Sequence, residues 1–154
     1  MAFRSARARR LQTVLLLALI VIGTGLLLTR CPANRDGMPG QLAQAMTETT
    51  SAARSGASAL DMWMAERSTA QLTSVQLADA RDEVINAYEG IAELRADDPA
   101  DIARQRTLTE SMTSIIGTLN AASAAVRGIA SQPPADRVRN DLLAVAAELE
   151  RGYR

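Results

Sequence analysis

The sequence has no histidine and no lysine, and all 17 of its basic residues are arginine. Without histidine, the chain lacks the commonest metal ligand and the commonest general base near neutral pH. Neither histidine nor lysine is present to activate a serine or threonine nucleophile, and there is no Gly-x-Ser-x-Gly elbow or phosphate-binding glycine-rich loop. We therefore expect a protein that is not an enzyme and that binds no cofactor and no metal.

Aromatic residues are also scarce, since the chain holds one Phe, one Trp and two Tyr. No run of β-branched or aromatic residues alternates over enough positions to predict a strand. The core must then consist of aliphatic side chains and alanine, which suits closely packed helices better than a β-sandwich. The composition predicts an all-α fold.

Cys31 is the only cysteine, which excludes an intramolecular disulfide. It follows an apolar run, and its surroundings resemble a bacterial lipoprotein processing motif at Leu28 and Thr29. Arg30 departs from that motif, because the residue before the cysteine is normally small. Three interpretations of Cys31 stay open: lipidation, an intermolecular disulfide across a dimer, and a free thiol at the membrane surface.

The longest apolar run, residues 11–29, contains no charged residue and is flanked by Arg10 and Arg30. As a helix it would span roughly 28 Å, close to the roughly 30 Å hydrocarbon core of a bilayer. The run is longer than the apolar core of a cleaved signal peptide, and no Ala-x-Ala site follows it. We predict an uncleaved transmembrane signal anchor at 11–30, preceded by a basic cytoplasmic tail at 1–10.

The charges on the two sides of this run are unequal. Residues 1–10 carry four arginines and no acid, whereas residues 31–154 have a net charge of −5. Arginine beside the first apolar segment favours a cytoplasmic N-terminus, which places the acidic part outside the cytoplasm. Nucleic acid is not an expected partner, because its binding needs clustered positive charge. The abundance of Arg and Ala is typical of a GC-rich bacterial genome, so the predicted location is the bacterial cytoplasmic membrane.

Proline and glycine at 31–40 predict a linker, and the extracytoplasmic helical domain is expected at 41–154. Its first helix should run from residue 41 to about 67, because apolar or small residues recur at alternating intervals of four and three. These residues are Leu42, Met46, Thr49, Ala53, Gly56, Leu60 and Trp63. Residues 51–59 are almost all Ser, Ala and Gly, and such small side chains would let a partner helix approach closely.

A second helix is predicted from the capping box formed by Thr73 and Gln76 to about residue 96. Its apolar side holds Leu77, Val84, Ile85, Tyr88, Ile91 and Leu94. Its acidic residues, which lie mainly on the opposite side, are Asp79, Asp82, Glu83, Glu89 and Glu93. A di-metal carboxylate centre would need inward-facing Glu-x-x-His pairs, so we interpret these acids as a solvated face.

Asp98 as N-cap and Pro99 as the first residue predict a third helix of about thirty residues, with an apolar stripe that extends to Ile129. Residues 133–134, both proline, end it, and Asp136 is expected to cap a fourth helix. Four amphipathic helices joined by short turns predict an antiparallel four-helix bundle. The complete expected fold is all-α, with a single N-terminal transmembrane helix followed by this bundle.

Met62, Trp63 and Met64 form an unusual cluster near the end of the first helix. Trp63 fits the apolar stripe and is interpreted as a core residue, whereas Met62 and Met64 point elsewhere on the helix. Because Trp and Met are enriched at protein interfaces, we predict that these three residues form a partner-docking patch. Insertion of Trp63 into the lipid headgroup region is a third interpretation.

These features predict a non-enzymatic, membrane-anchored accessory or structural subunit that docks onto a larger membrane complex or self-associates. The alternative is a helical bundle that binds a small or lipidic ligand between its helices. An apolar cavity of a few hundred Å³ inside the bundle would favour ligand binding. A core packed with alanine and an exposed Met62–Met64 cluster would favour docking.

Overall fold

The computed structural model describes residues 37–152. The predicted cytoplasmic tail, the predicted anchor at 11–30, Cys31 and the predicted linker up to residue 36 lie outside the described residues. The described part consists of four helices, α1 Met38–Met64, α2 Ala70–Ala92, α3 Pro99–Val126 and α4 Ala135–Gly152. No strand occurs within residues 37–152. For this part of the chain, the predictions of an all-α fold and of four helices are confirmed.

The four helices pack as a bundle around α1. Helix α1 contacts each of the other three helices, whereas within the described residues α2 and α4 do not contact each other. Helices α1 and α4 run in opposite directions, since Arg54 is paired with Glu150 while Asp61, later in α1, is paired with Arg139, earlier in α4. Helices α1 and α3 therefore face each other across the bundle.

The core is aliphatic, as the composition predicted. Its largest fully buried side chains include Leu42, Leu60, Leu77, Leu108, Met112, Ile115, Leu119 and Leu142. Alanines fill much of the space between them, among them Ala52, Ala53, Ala57 and Ala122. Tyr88 departs from its predicted place in the apolar stripe of α2, because its side chain lies at the exposed edge of that stripe.

Gly56 occupies the point where all four helices meet. A Cβ atom at this position would lie 2.5 Å from Cδ2 of Leu119, with terminal carbons of Leu142 and Leu77 at 3.6 and 3.7 Å. Glycine lowers the helix propensity of α1 by about 1 kcal/mol relative to alanine, but here it makes room for a leucine of α3. The small residues of α1 thus allow close packing inside the bundle, against α3.

Helix α1 begins at Met38, three residues before its predicted start at residue 41. Pro39 lies in the first turn of α1. Backbone N–H groups in the first turn make no intrahelical hydrogen bond, so proline is tolerated there. The linker prediction is wrong for Met38, Pro39 and Gly40, because a proline near a glycine marks a helix start here rather than irregular chain.

The N-cap of α2 is Thr69, whose hydroxyl oxygen accepts a hydrogen bond from the Leu72 N–H at 3.2 Å. The predicted capping box at Thr73 and Gln76 is wrong, because Thr73 lies inside the helix and is fully buried. The Thr73 hydroxyl donates instead to Oγ of Ser68 at 2.9 Å.

Asp98 and Pro99 begin α3 as predicted, and the Asp98 carboxylate accepts a hydrogen bond from the Ala100 N–H at 2.8 Å. Asp136 does not cap α4, because it lies within the first turn and the helix begins at Ala135. The expected stripe to Ile129 is wrong at its end, since α3 stops at Val126 and Ile129 is exposed.

Candidate docking surface

One end of the bundle holds both the α1–α2 turn and the α3–α4 loop, because α1 and α3 run towards it. The chain enters the bundle at the other end, where α1 begins at Met38. At a rise of about 1.5 Å per residue, the 27 residues of α1 separate the two ends by roughly 40 Å. The predicted docking cluster lies at the end remote from the point of entry.

The structure separates the three residues of that cluster. Met62 and Met64 each expose 37% of their surface, whereas Trp63 is partly buried and packs against the core. Successive residues of a helix point about 100° apart, so Trp63 can face inward while its two neighbours face solvent. Met62 and Met64 are therefore free to contact a partner, and the docking role itself stays a prediction.

Three further apolar side chains are exposed at the same end. Leu72 and Val75, in the first two turns of α2, are 53% and 52% exposed, and Ile129, in the α3–α4 loop, is 67% exposed. We name the set formed by Met62, Met64, Leu72, Val75 and Ile129 the apolar end surface. Most of the large hydrophobic side chains that are exposed in the described residues belong to it. Such local concentrations of exposed apolar side chains mark interaction sites.

Sequence reasoning missed Leu72, Val75 and Ile129. Leu72 and Val75 do not fall on the apolar side of α2. Their position outside the buried stripe could have indicated that they are exposed apolar residues. Ile129 continued the 3–4 spacing of α3 and was therefore assigned to the core. Only the packing of the helices brings the two hairpin ends, and with them these residues, to one end of the bundle.

Two helix C-caps fix the backbone of this end. At the end of α1, the Arg67 N–H donates to the Met62 carbonyl at 2.8 Å and the Glu66 N–H donates to the Trp63 carbonyl at 3.0 Å. At the end of α3, the N–H groups of Ile129 and Gly128 make the same pair of bonds to Ala124 and Ala125. This pattern is the Schellman motif. A backbone fixed in this way presents Met62 and Ile129 at little entropic cost to a complex.

Charged residues lie at the same end of the bundle as the apolar end surface. The Asp61 carboxylate accepts a hydrogen bond from Nε of Arg139 at 2.8 Å, which ties the last turns of α1 to the first turns of α4. Glu66, Arg67 and Arg127 are exposed beside the two caps. An apolar centre with a charged rim is the usual anatomy of a protein–protein interface.

The acidic residues of residues 37–152 form no cluster that could bind a metal ion. No group of three or more His, Cys, Asp or Glu side chains in this part of the chain could hold a metal ion. The four acidic residues of α2 from Asp79 to Glu89 are exposed, as is Glu93, which follows the last residue of the helix. Asp101 is buried in the first turn of α3, where its carboxylate pairs with Arg104 at 3.1 Å.

Comparisons of the chain with models of known protein families, with curated proteins and with solved structures give no match. Among the helices of residues 37–152, none combines the length and apolar character that crossing a membrane requires.

Proposed function

We propose that the protein is a non-enzymatic, membrane-anchored envelope protein that acts as an accessory subunit of a larger membrane complex. Residues 11–30 anchor it in the bacterial cytoplasmic membrane with a cytoplasmic N-terminus, and the antiparallel bundle lies outside the cytoplasm. The uncharged run at 11–29 supports the anchor, and the four arginines of residues 1–10 support its orientation.

The observation that carries the proposal is the apolar end surface. Five large apolar side chains from α1, α2 and the α3–α4 loop are exposed at one end of the bundle, on a backbone fixed by two C-caps. Methionine adapts its shape to a partner, and Leu, Val and Ile supply apolar area at its side. The surface would bind a protein with an apolar patch of its own.

Ligand binding between the helices receives less support. The centre of the bundle is filled, since Leu119 packs against the backbone of Gly56 with no room for even a Cβ atom. The grooves between α1 and α2, between α1 and α4 and between α3 and α4 open at the surface and are lined largely by polar or small residues. A core packed with alanine, together with the exposed Met62 and Met64, supports docking rather than ligand binding between the helices.

A photocrosslinking experiment tests the proposal. A photoreactive amino acid is placed at Met62, Leu72 or Ile129 of the full chain in its native cells, and at Thr113 on an exposed position of α3 as the matched control. We expect the three end positions to crosslink to one and the same protein larger than this chain, and Thr113 to give no such product. Equal crosslinking from Thr113, or none from the three end positions, would overturn the proposal.

A further inference from the structure

Methionine is the only sulfur-containing residue type in residues 37–152, because the single cysteine of the chain is Cys31. The fold gives these methionines unequal access to solvent. Met62 and Met64 each expose 37% of their surface, whereas Met112 is fully buried in the core. The two most accessible thioethers therefore lie together in the last turn of α1, within the apolar end surface.

A thioether that solvent can reach is open to oxidation by hydrogen peroxide. The sulfur lone pair attacks one peroxide oxygen, and the O–O bond breaks as the S–O bond forms. The transferred hydroxyl then gives its proton to the departing hydroxide, so the products are methionine sulfoxide and water. Sulfur loses two electrons and peroxide gains them, and no further reactant is needed. Because peroxide must contact the sulfur atom, exposure decides which methionine reacts.

Oxidation of the two exposed methionines leaves the core of the bundle intact. Met112 belongs to that core, and Met38 and Met46 are partly buried and pack against it, whereas Met62 and Met64 do neither. A sulfoxide at Met112 would place a polar S–O group among aliphatic side chains, which costs free energy unless a donor is present. Sulfoxides at Met62 and Met64 are solvated, so the bundle stays folded when they form.

The same oxidation changes the apolar end surface, to which Met62 and Met64 contribute two of the five side chains. A sulfoxide is polar and accepts hydrogen bonds, so burying it against an apolar patch of a partner is less favourable than burying a thioether. The C-cap of α1 fixes the backbone beside both residues, since the Arg67 N–H donates to the Met62 carbonyl. The oxidised side chains therefore stay where a partner would contact the surface.

We propose that Met62 and Met64 are a modification site at which hydrogen peroxide forms methionine sulfoxide, and that this oxidation releases the partner of the apolar end surface. The proposed location outside the cytoplasm is an oxidising environment. Methionine sulfoxide reductases restore the thioether, so the modification is reversible. The site itself is inferred from the exposures of the methionines, whereas release of a partner rests on the proposed function.

Peptide mass spectrometry after timed exposure to hydrogen peroxide tests the modification site. The full chain in mild detergent is treated while folded and, as the matched control, in denaturant. We expect Met62 and Met64 of the folded chain to oxidise at least about tenfold faster than Met112, because the core shields its thioether. In denaturant the three rates should be similar. Equal rates in the folded chain overturn the proposal.

Co-purification from native membranes, with and without peroxide treatment, tests the release of the partner. Each chain is compared with its own untreated sample. We expect peroxide to lower recovery of the complex by the wild type at least about fivefold, because two sulfoxides then stand in the contact. Treatment with methionine sulfoxide reductase should return recovery to the untreated level. No loss with peroxide, or a loss that the reductase does not reverse, overturns the proposal.

Two double variants assign the loss to particular residues. Leucine is apolar and similar in size to methionine but has no sulfur to oxidise, so Met62→Leu with Met64→Leu should make recovery insensitive to peroxide. Met38→Leu with Met46→Leu is the matched control and should stay as sensitive as the wild type. Equal sensitivity of the two variants overturns the proposal. An untreated wild type without a complex overturns the proposed function and with it the release of a partner, while the oxidation rates decide the modification site independently.

Discussion

Glu66 adopts an unusual backbone conformation in the C-cap of α1. Glu66 lies two residues after the last residue of α1 and has φ +57°. This left-handed conformation costs a residue other than glycine about 1–2 kcal/mol. Gly128 occupies the equivalent position after α3 with φ +68°, at no such cost. The two caps therefore have the same hydrogen-bond pattern, but the one after α1 carries backbone strain that the one after α3 does not.

We expect Glu66→Gly to raise the free energy of unfolding by about 1 kcal/mol, because glycine relieves the backbone strain at a position where the side chain is exposed. Gly128→Ala is the matched control and should lower it by about the same amount, since a Cβ there meets no other atom within 4 Å and only the backbone is strained. Urea denaturation of the full chain measures both. A destabilised Glu66→Gly variant would contradict this account of the cap.

At the scale of the elements, a side chain of one helix completes the end of another. Nε2 of Gln105, on α3, donates to the carbonyl oxygens of Ile91 at 2.6 Å and Leu94 at 3.1 Å, at the end of α2. The Ile91 carbonyl belongs to the last turn of α2, where intrahelical donors run out, and the Leu94 carbonyl lies just beyond the end of the helix. Gln105 therefore connects α3 to the end of α2 in the α2–α3 hairpin.

We expect Gln105→Met to lower the free energy of unfolding by about 1–2 kcal/mol, because methionine has a similar length but removes the side-chain donor to the Leu94 carbonyl and leaves the Ile91 carbonyl with backbone donors alone. Gln71→Met, on the exposed side of α2, is the matched control and should change it by less than about 0.5 kcal/mol. Chemical denaturation followed by circular dichroism compares the two. A loss as small as that of the control would show that this cap contributes little.

The helices could be predicted from the sequence where the signal was local. Asp98 and Pro99 marked the start of α3 because the N-cap bond and the fixed φ of proline involve adjacent residues. The end of α1 was placed near Arg67, beyond its true end at Met64, because no glycine marks the cap that Glu66 makes. The hydrogen bonds of Gln105 were not predictable, since their acceptors lie at the end of another helix and just beyond it.

At the scale of the whole molecule, the candidate site was predicted only in part. The stripe of α1 correctly separated Trp63, which packs against the core, from the exposed Met62 and Met64. Leu72 and Ile129 lie well apart in the sequence, and their position at one end follows from the directions in which the helices run. A periodic pattern records which face of a helix is buried but not which helix ends meet.

Quantitative co-purification from native membranes tests the central claim most directly. Tagged full-length wild type and a variant with Met62→Ser and Met64→Ser are purified in parallel in mild detergent, and the co-purifying proteins are quantified. We expect the wild type to recover a larger membrane complex at fixed stoichiometry, and the variant to recover at least about tenfold less of it, because the binding energy of an interface concentrates in a few of its residues. Recovery of the wild type alone or only as a homo-oligomer, or equal recovery of the complex by the variant, would contradict the account of this protein as a docking subunit.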